Sequence, residues 1–137
     1  MSVAVAVVTD APIDADAVEA AVLTRSDGAL VTFRGVIRDH DSGHAVTRLE
    51  YSAHPDAEAF LRAACERVAA STGLVVGAVH RVGALTIGDV ALVAAVAAPH
   101  RAEAFAACAE LVDVIKAEVP IWKRQHSPDG TTEWVGL

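Results

Sequence analysis

The chain has 137 residues, a mass of 14.2 kDa, a formal net charge of −7 and a pI near 5.2. That length suits one domain, taken as residues 1–137, with a core of its own, and the acidic balance excludes a nucleic-acid binder resting on a broad basic surface. Apolar residues make up 53%, much of it Ala and Val, but no run approaches the roughly 18–20 residues of a membrane span.

Taken in order, Val3 to Val8 is a short apolar, β-branched run that reads as a buried strand. No basic region with a long apolar stretch and cleavage site precedes it, so no secretory signal is expected. Pro12 breaks the run. Asp14 or Asp16 then caps a helix reaching about Leu23, with Asp16 and Glu19 at capping-box spacing. Ala29 to Ile37 alternates as a strand, with Ala29, Val31, Phe33 and Ile37 on one face and Thr32, Arg34 and Arg38 on the other. The polar stretch Asp39 to His44 reads as a loop. His40 and His44 would share a face only on a helix, which the Gly and Asp content disfavours, so no metal site is expected.

Ala45 to Ala53 alternates again, with Leu49 and Tyr51 opposite Arg48 and Glu50, and is expected to pair with the preceding strand as a long hairpin. A helix follows from about Asp56 to Ser71, its stripe formed by Phe60, Leu61, Ala64, Cys65 and Val68, and Gly73 ends it. Val75 to Val82 and Val90 to Ala97 are two more strands. Pro99 marks the start of a third helix, whose first turn holds His100 and Arg101, where free N–H groups favour an anion. This helix carries Phe105, Cys108, Leu111, Val112, Ile115 and Val119 on one face and stops at about Val119, because Pro120 follows. Ser127 to Gly130 is a turn, and Thr131 to Val135 returns as the partner of the segment before it. Consecutive strands joined by short turns predict an α+β domain with a largely antiparallel sheet and packed helices.

Lys116 and Lys123 are the only lysines; the other nine cationic residues are arginines. A lysine amine, unlike a guanidinium, can be tuned until a neutral nucleophile exists near pH 7. Lys116 falls in the last turn of the third helix, where Asp113 is placed to hold it, and Lys123 lies past the break. The remaining positive charge clusters around Arg34, Arg38, His40 and His44 and around His100 and Arg101. A local basic pocket on an acidic protein points to a small anionic ligand. Cys65 and Cys108 are isolated, fit helical core positions, and form no CxxC or disulfide framework, which suits a reducing cytoplasm.

The stretches Gly28 to His40, Leu49-Glu50-Tyr51, His80 to Gly83 with Gly88-Asp89, Pro99 to Ala102, and Ile115-Lys116 through Pro120 to Arg124 together resemble the large, catalytic subunit of molybdopterin synthase, the MoaE family. The resemblance covers most of the chain from Gly28 to Val135. It implies an α/β hammerhead-type fold and a cytoplasmic sulfurtransferase. That enzyme converts cyclic pyranopterin monophosphate into molybdopterin, in molybdenum cofactor biosynthesis, with no cofactor of its own. The sulfur donor it implies is a small ubiquitin-like carrier of the MoaD type, ending in a Gly-Gly thiocarboxylate. It further implies a homodimer of large subunits with one small subunit at each end, and no nucleic-acid or membrane partner. By motif position Lys116 and Lys123 match the family's essential lysines. Arg38, His100 and Arg101 match residues that bind the substrate's anionic end, and Val36, Ile37, Arg124 and Gln125 match pocket positions. Gln125 stands where Glu is common, and His54 where an aromatic is common.

The residues also admit a Schiff-base lyase using one lysine, and a non-catalytic pterin- or phosphate-binding module or dimeric scaffold in which the lysines only bind. Lys116→Arg separates the binding module from the transferase, since charge survives that change and amine chemistry does not.

Overall fold

The structure, a computed structural model, describes residues 3–41 and 43–137. Strand β1 (Val3–Thr9) leads to helix α1 (Ala15–Val22), strand β2 (Ala29–Val36), two short strands β3 (His40–Asp41) and β4 (His44–Ala45), and β5 (Arg48–Ala53). Helix α2 (Ala57–Thr72) is followed by β6 (Val75–Arg81), β7 (Gly83–Thr86) and β8 (Val90–Ala98). Helix α3 (Arg101–Glu118), β9 (Ile121–His126) and β10 (Thr132–Gly136) complete the order. The class is α+β, and among the described residues every strand pair is antiparallel except β1 with β6.

Strand β8 organises the first sheet, whose order is β1-β6-β8-β2. It is apolar throughout and buried from Ala91 to Ala98, so it takes an interior place with helices on both faces. Leu92, Ala94 and Val96 meet α2 and α3 on one side, while Val93, Ala95 and Ala97 meet α1 on the other. Small side chains make this close packing possible. At Gly77 an added Cβ would lie 2.7 Å from Val5 Cγ1 and 2.9 Å from Val22 Cγ2. The buried stripes of α2 and α3 are Ala57, Leu61, Ala64, Cys65 and Val68, and Ala104, Ala107, Cys108, Leu111 and Ile115.

Those stripes differ from the expected ones at two positions. Phe60 and Phe105 are 47% and 63% exposed. Each follows or precedes a buried residue by one position, about 100° around the helix, and the alanines take the inner face instead. Helix α1 is capped by Asp14, whose Oδ1 accepts the Ala17 N–H at 3.1 Å. Glu19 does not complete a capping box with Asp16, because it accepts the Thr32 hydroxyl at 2.6 Å. Gly73 closes α2 at φ 72°, in the left-handed conformation that glycine adopts without cost.

The second sheet has the order β10-β9-β5-β7, and here the expected long hairpin does not form. Strand β2 pairs with β8, and β5 pairs with β7 and β9. The physical reason is the difference in their surroundings. Strand β2 joins a sheet covered on both faces, whereas the alternating β5 suits a sheet with one outward polar face. A register shift at Gly35/Val36 ends β2. The chain then crosses between the sheets through the β3–β4 hairpin, where the Val46 N–H donates to the Asp39 carbonyl at 2.8 Å. Among the described residues no helix is long and apolar enough to cross a membrane.

Candidate active site

Where the two sheets meet, a cavity of about 320 Å³ opens. Helix α3 ends where Pro120 requires, with the Val119 N–H on the Ile115 carbonyl at 3.0 Å. That stop leaves Lys116 in the last turn, and strand alternation after it does the rest. Ile121, Lys123 and Gln125 of β9 point inward, while Trp122, Arg124 and His126 point outward. The β5–β9 register sets Lys123 opposite Tyr51 and Gln125 opposite Leu49. Lys116, Lys123, Tyr51 and Gln125 accordingly line one cavity, together with Val36, Ile37 and Arg38 from the end of β2. The chain's two lysines, on different elements, meet at one site.

The electrostatics of the two amines differ. Lys116 is exposed, whereas Lys123 is partly buried. Burial pushes the Lys123 pKa down; the Asp41 carboxylate opposes that, and the like charges of Lys116 and Arg38 add to it. Asp41 accepts from Arg38 Nη2 at 3.1 Å and from Gln125 Nε2 at 2.6 Å. Those bonds, with the Lys123 charge nearby, hold its carboxyl below the usual carboxylate range. Asp113 forms no ion pair with Lys116; among the described residues the ion pair of α3 is Glu118 with Arg67 of α2.

The cavity also holds a residue that sequence reasoning did not single out. His80 of β6 is 2% exposed, and its Nδ1 lies 2.7 Å from the Arg81 carbonyl. A carbonyl only accepts, so Nδ1 carries the proton and Nε2 of the neutral ring keeps a lone pair. Burial pushes the His80 pKa down to about 4, with the Lys116 charge acting in the same direction. The Tyr51 ring meets the imidazole edgewise at 5.1 Å between centroids. The signal in the sequence was a histidine inside the apolar strand Val75 to Val82. Tyr51 was equally open to notice, since alternation puts it on the inward face with Leu49.

Three of the sequence-predicted residues stand apart from this cavity. Arg124 is on the outer face of β9, its Nη2 on Thr132 Oγ1 at 3.3 Å and its guanidinium 5.8 Å from the Trp134 ring centroid. His100 occupies the N-cap position of α3 without a side-chain capping bond and Arg101 begins the helix, both exposed. The cavity touches β8 at Ala91 and Leu92, and the strand from Leu92 to Ala98 spans about 20 Å. His100 and Arg101 therefore sit at the opposite end of β8 from the lysines.

Residues 8–118 match the family model described as MoaE protein. The chain belongs to the MoaE family. It is 46% identical over 132 residues to molybdopterin synthase catalytic subunit 1 of Mycobacterium tuberculosis, covering 93% of this chain and 88% of that one. Its fold superposes on the crystal structure of molybdopterin synthase from Staphylococcus aureus with a TM-score of 0.88 and 33% identity, over 95% of this chain and 96% of that one. The MoaE protein of Burkholderia ambifaria gives a TM-score of 0.76 and 34% identity, over 97% and 89%. In this MoaE chain the matched stretch contains Arg38, His80 and Lys116, and Lys123 follows it by only five residues. The family's fold is thus present with the lysine cavity built into its seam.

Proposed function

We propose that this chain is the catalytic subunit of a molybdopterin synthase and a sulfurtransferase. It moves sulfur from the C-terminal thiocarboxylate of a small ubiquitin-like carrier onto cyclic pyranopterin monophosphate. The observation that carries this reading is the convergence of Lys116 and Lys123 on one cavity with Arg38. Arg38 and Lys123 provide cations for the substrate's phosphate. Sulfur transfer passes through charged, tetrahedral species and needs proton movements, which an amine with a lowered pKa can serve as acid, base or transient nucleophile. Lys123, the partly buried amine beside Asp41, takes the substrate side of that work. Lys116, exposed at the end of α3, faces the approach of the carrier's tail and acts at its terminal carbonyl.

His100 and Arg101 fit this reading through the second copy of a homodimer. They stand about 20 Å along β8 from the cavity of their own copy, so their place in a substrate site is the cavity of the partner. No metal or organic cofactor enters the scheme, since the carrier supplies the sulfur and the lysines the acid–base work. The cytoplasm is the compartment proposed, consistent with the two unpaired, buried cysteines.

The test is a single-turnover assay with thiocarboxylated carrier and cyclic pyranopterin monophosphate, read as the fluorescent oxidised derivative of molybdopterin. Wild type is expected to form product, and Lys116→Arg and Lys123→Arg to lose it while staying folded. Absence of product from wild type with bound, intact carrier overturns the catalytic reading. Retention of full activity by both variants leaves a site that only binds.

A further inference from the structure

The β3–β4 hairpin lies over the cation side of the cavity, and the side chain that ties it to β9 is Asp41. Both of its carboxylate oxygens are engaged: Oδ1 accepts from Arg38 Nη2 at 3.1 Å and Oδ2 from Gln125 Nε2 at 2.6 Å, across 84 positions of sequence. Two-residue strands have little stability of their own, so this tie fixes where the hairpin sits. It depends on position 125 being an amide. An ionised carboxylate accepts only, and a Glu at 125 would face Asp41 with a second negative charge. Gln125 has the shape of a glutamate side chain but donates through its amide.

The same carboxylate stands where a phosphate would be received. Arg38, His40 and Asp41 come from the end of β2 and the hairpin, Lys116 from α3, His80 from β6 and Lys123 from β9, all on one cavity. Carboxylate and phosphate oxygens use the same donors. Two anions cannot share Arg38 and Lys123 without repulsion.

We propose that Asp41 is the pocket's resident anion: before substrate binds it holds Arg38 and Gln125 beside Lys123, and the entering phosphate displaces it and releases the β3–β4 hairpin. This rests on the anion-binding reading of the cavity given above. Asp41 is a positioning residue in this scheme. It keeps the cations in place while the site waits, and its departure couples phosphate binding to movement of the hairpin at the cavity mouth.

The experiment titrates inorganic phosphate into the full chain as wild type, Asp41→Asn and Asp39→Asn. Lysine-selective isotope labelling reports the site directly, because the chain's two lysines give only two side-chain signals. Asp39 bonds to His40 at 2.9 Å, so its replacement removes an equal charge nearby without touching Arg38 or Gln125. Asp41→Asn is expected to bind phosphate about five-fold more tightly than wild type, the effect of one unit charge near 4 Å in a water-like medium. Asp39→Asn is expected to stay near wild type. Hydrogen exchange at the Val46 amide, bonded to the Asp39 carbonyl, is expected to quicken in Asp41→Asn and in phosphate-bound wild type. An Asp41→Asn affinity no higher than wild type, or a gain that Asp39→Asn matches, overturns the inference and leaves the anion site standing. Phosphate that moves neither lysine signal in any of the three proteins overturns both.

Discussion

His80 offers a prediction whose size follows from its surroundings. The ring is 2% exposed and held neutral by burial, with its pKa lowered from the ordinary 6.5 to about 4. The unfolded chain binds a proton there between those values and the folded chain does not. Protons therefore favour unfolding, and stability drains away as pH falls from about 6.5 to 4. At about 1.36 kcal/mol per pH unit the loss is roughly 3 kcal/mol. His80→Phe removes this liability at similar volume. At pH 7 the variant leaves the Arg81 carbonyl without its donor, at a cost of about 1–3 kcal/mol.

The two stability curves are therefore expected to converge. Wild type is the more stable protein at pH 7, and the gap closes or reverses by pH 4. Urea denaturation at several pH values and one protein concentration measures this, and the difference between variants cancels the other titrating groups. A gap that stays constant from pH 7 to pH 4 would refute the argument, because it would mean that His80 protonates as readily in the fold as outside it. The result also bears on the site. A neutral His80 presents an uncharged acceptor beside two lysines, which an imidazolium could not do.

Three further outcomes follow from the same geometry. Lys123→Met is expected to abolish sulfur transfer in the single-turnover assay while leaving the urea midpoint at pH 7 unchanged or higher, because it removes a desolvated charge that Lys116 and Arg38 oppose. Gly77→Ala, whose Cβ would press on Val5 and Val22, is expected to cost about 1–3 kcal/mol in denaturation experiments, with Lys116 and Lys123 undisturbed. Pro120→Ala removes the block that ends α3; frayed or shifted register at the start of β9 is expected to lower turnover far more than stability, and equal losses in both would contradict it.

The sequence carried the elements and much of the site, and it failed where partners in space had to be chosen. Gly73 and Pro120 set helix ends through backbone geometry that acts on neighbouring residues, so both ends were readable. The pairing of β2 with β8 was not, because adjacency in the chain favoured a hairpin with β5. The contrary signal was the unbroken apolar run of β8, which demands an interior place and neighbours on both edges. At the site, the chain's only two lysines, within eight residues of sequence, point to Lys116 and Lys123, but the resemblance puts Arg124 in the pocket beside Gln125. A strand presents alternate residues, and Arg124 turned to Trp134 on the outer face.

His100 and Arg101 expose a different boundary. Their positions are dictated by where β8 ends, and β8 runs away from the lysines. The His100-Arg101 pair, which the family resemblance groups with Lys116 and Lys123, is thus carried to the other end of the same strand. If these residues bind substrate, they do so across copies, and that relation has no trace in the periodicity of one chain. Asp41 reverses the lesson. Its contact is invisible in sequence because its partner Gln125 lies 84 positions away, yet the amide at 125 is what that contact requires. A donor at 125 and an acceptor at 41 form one unit, and removing the donor or the acceptor breaks the tie between the hairpin and β9.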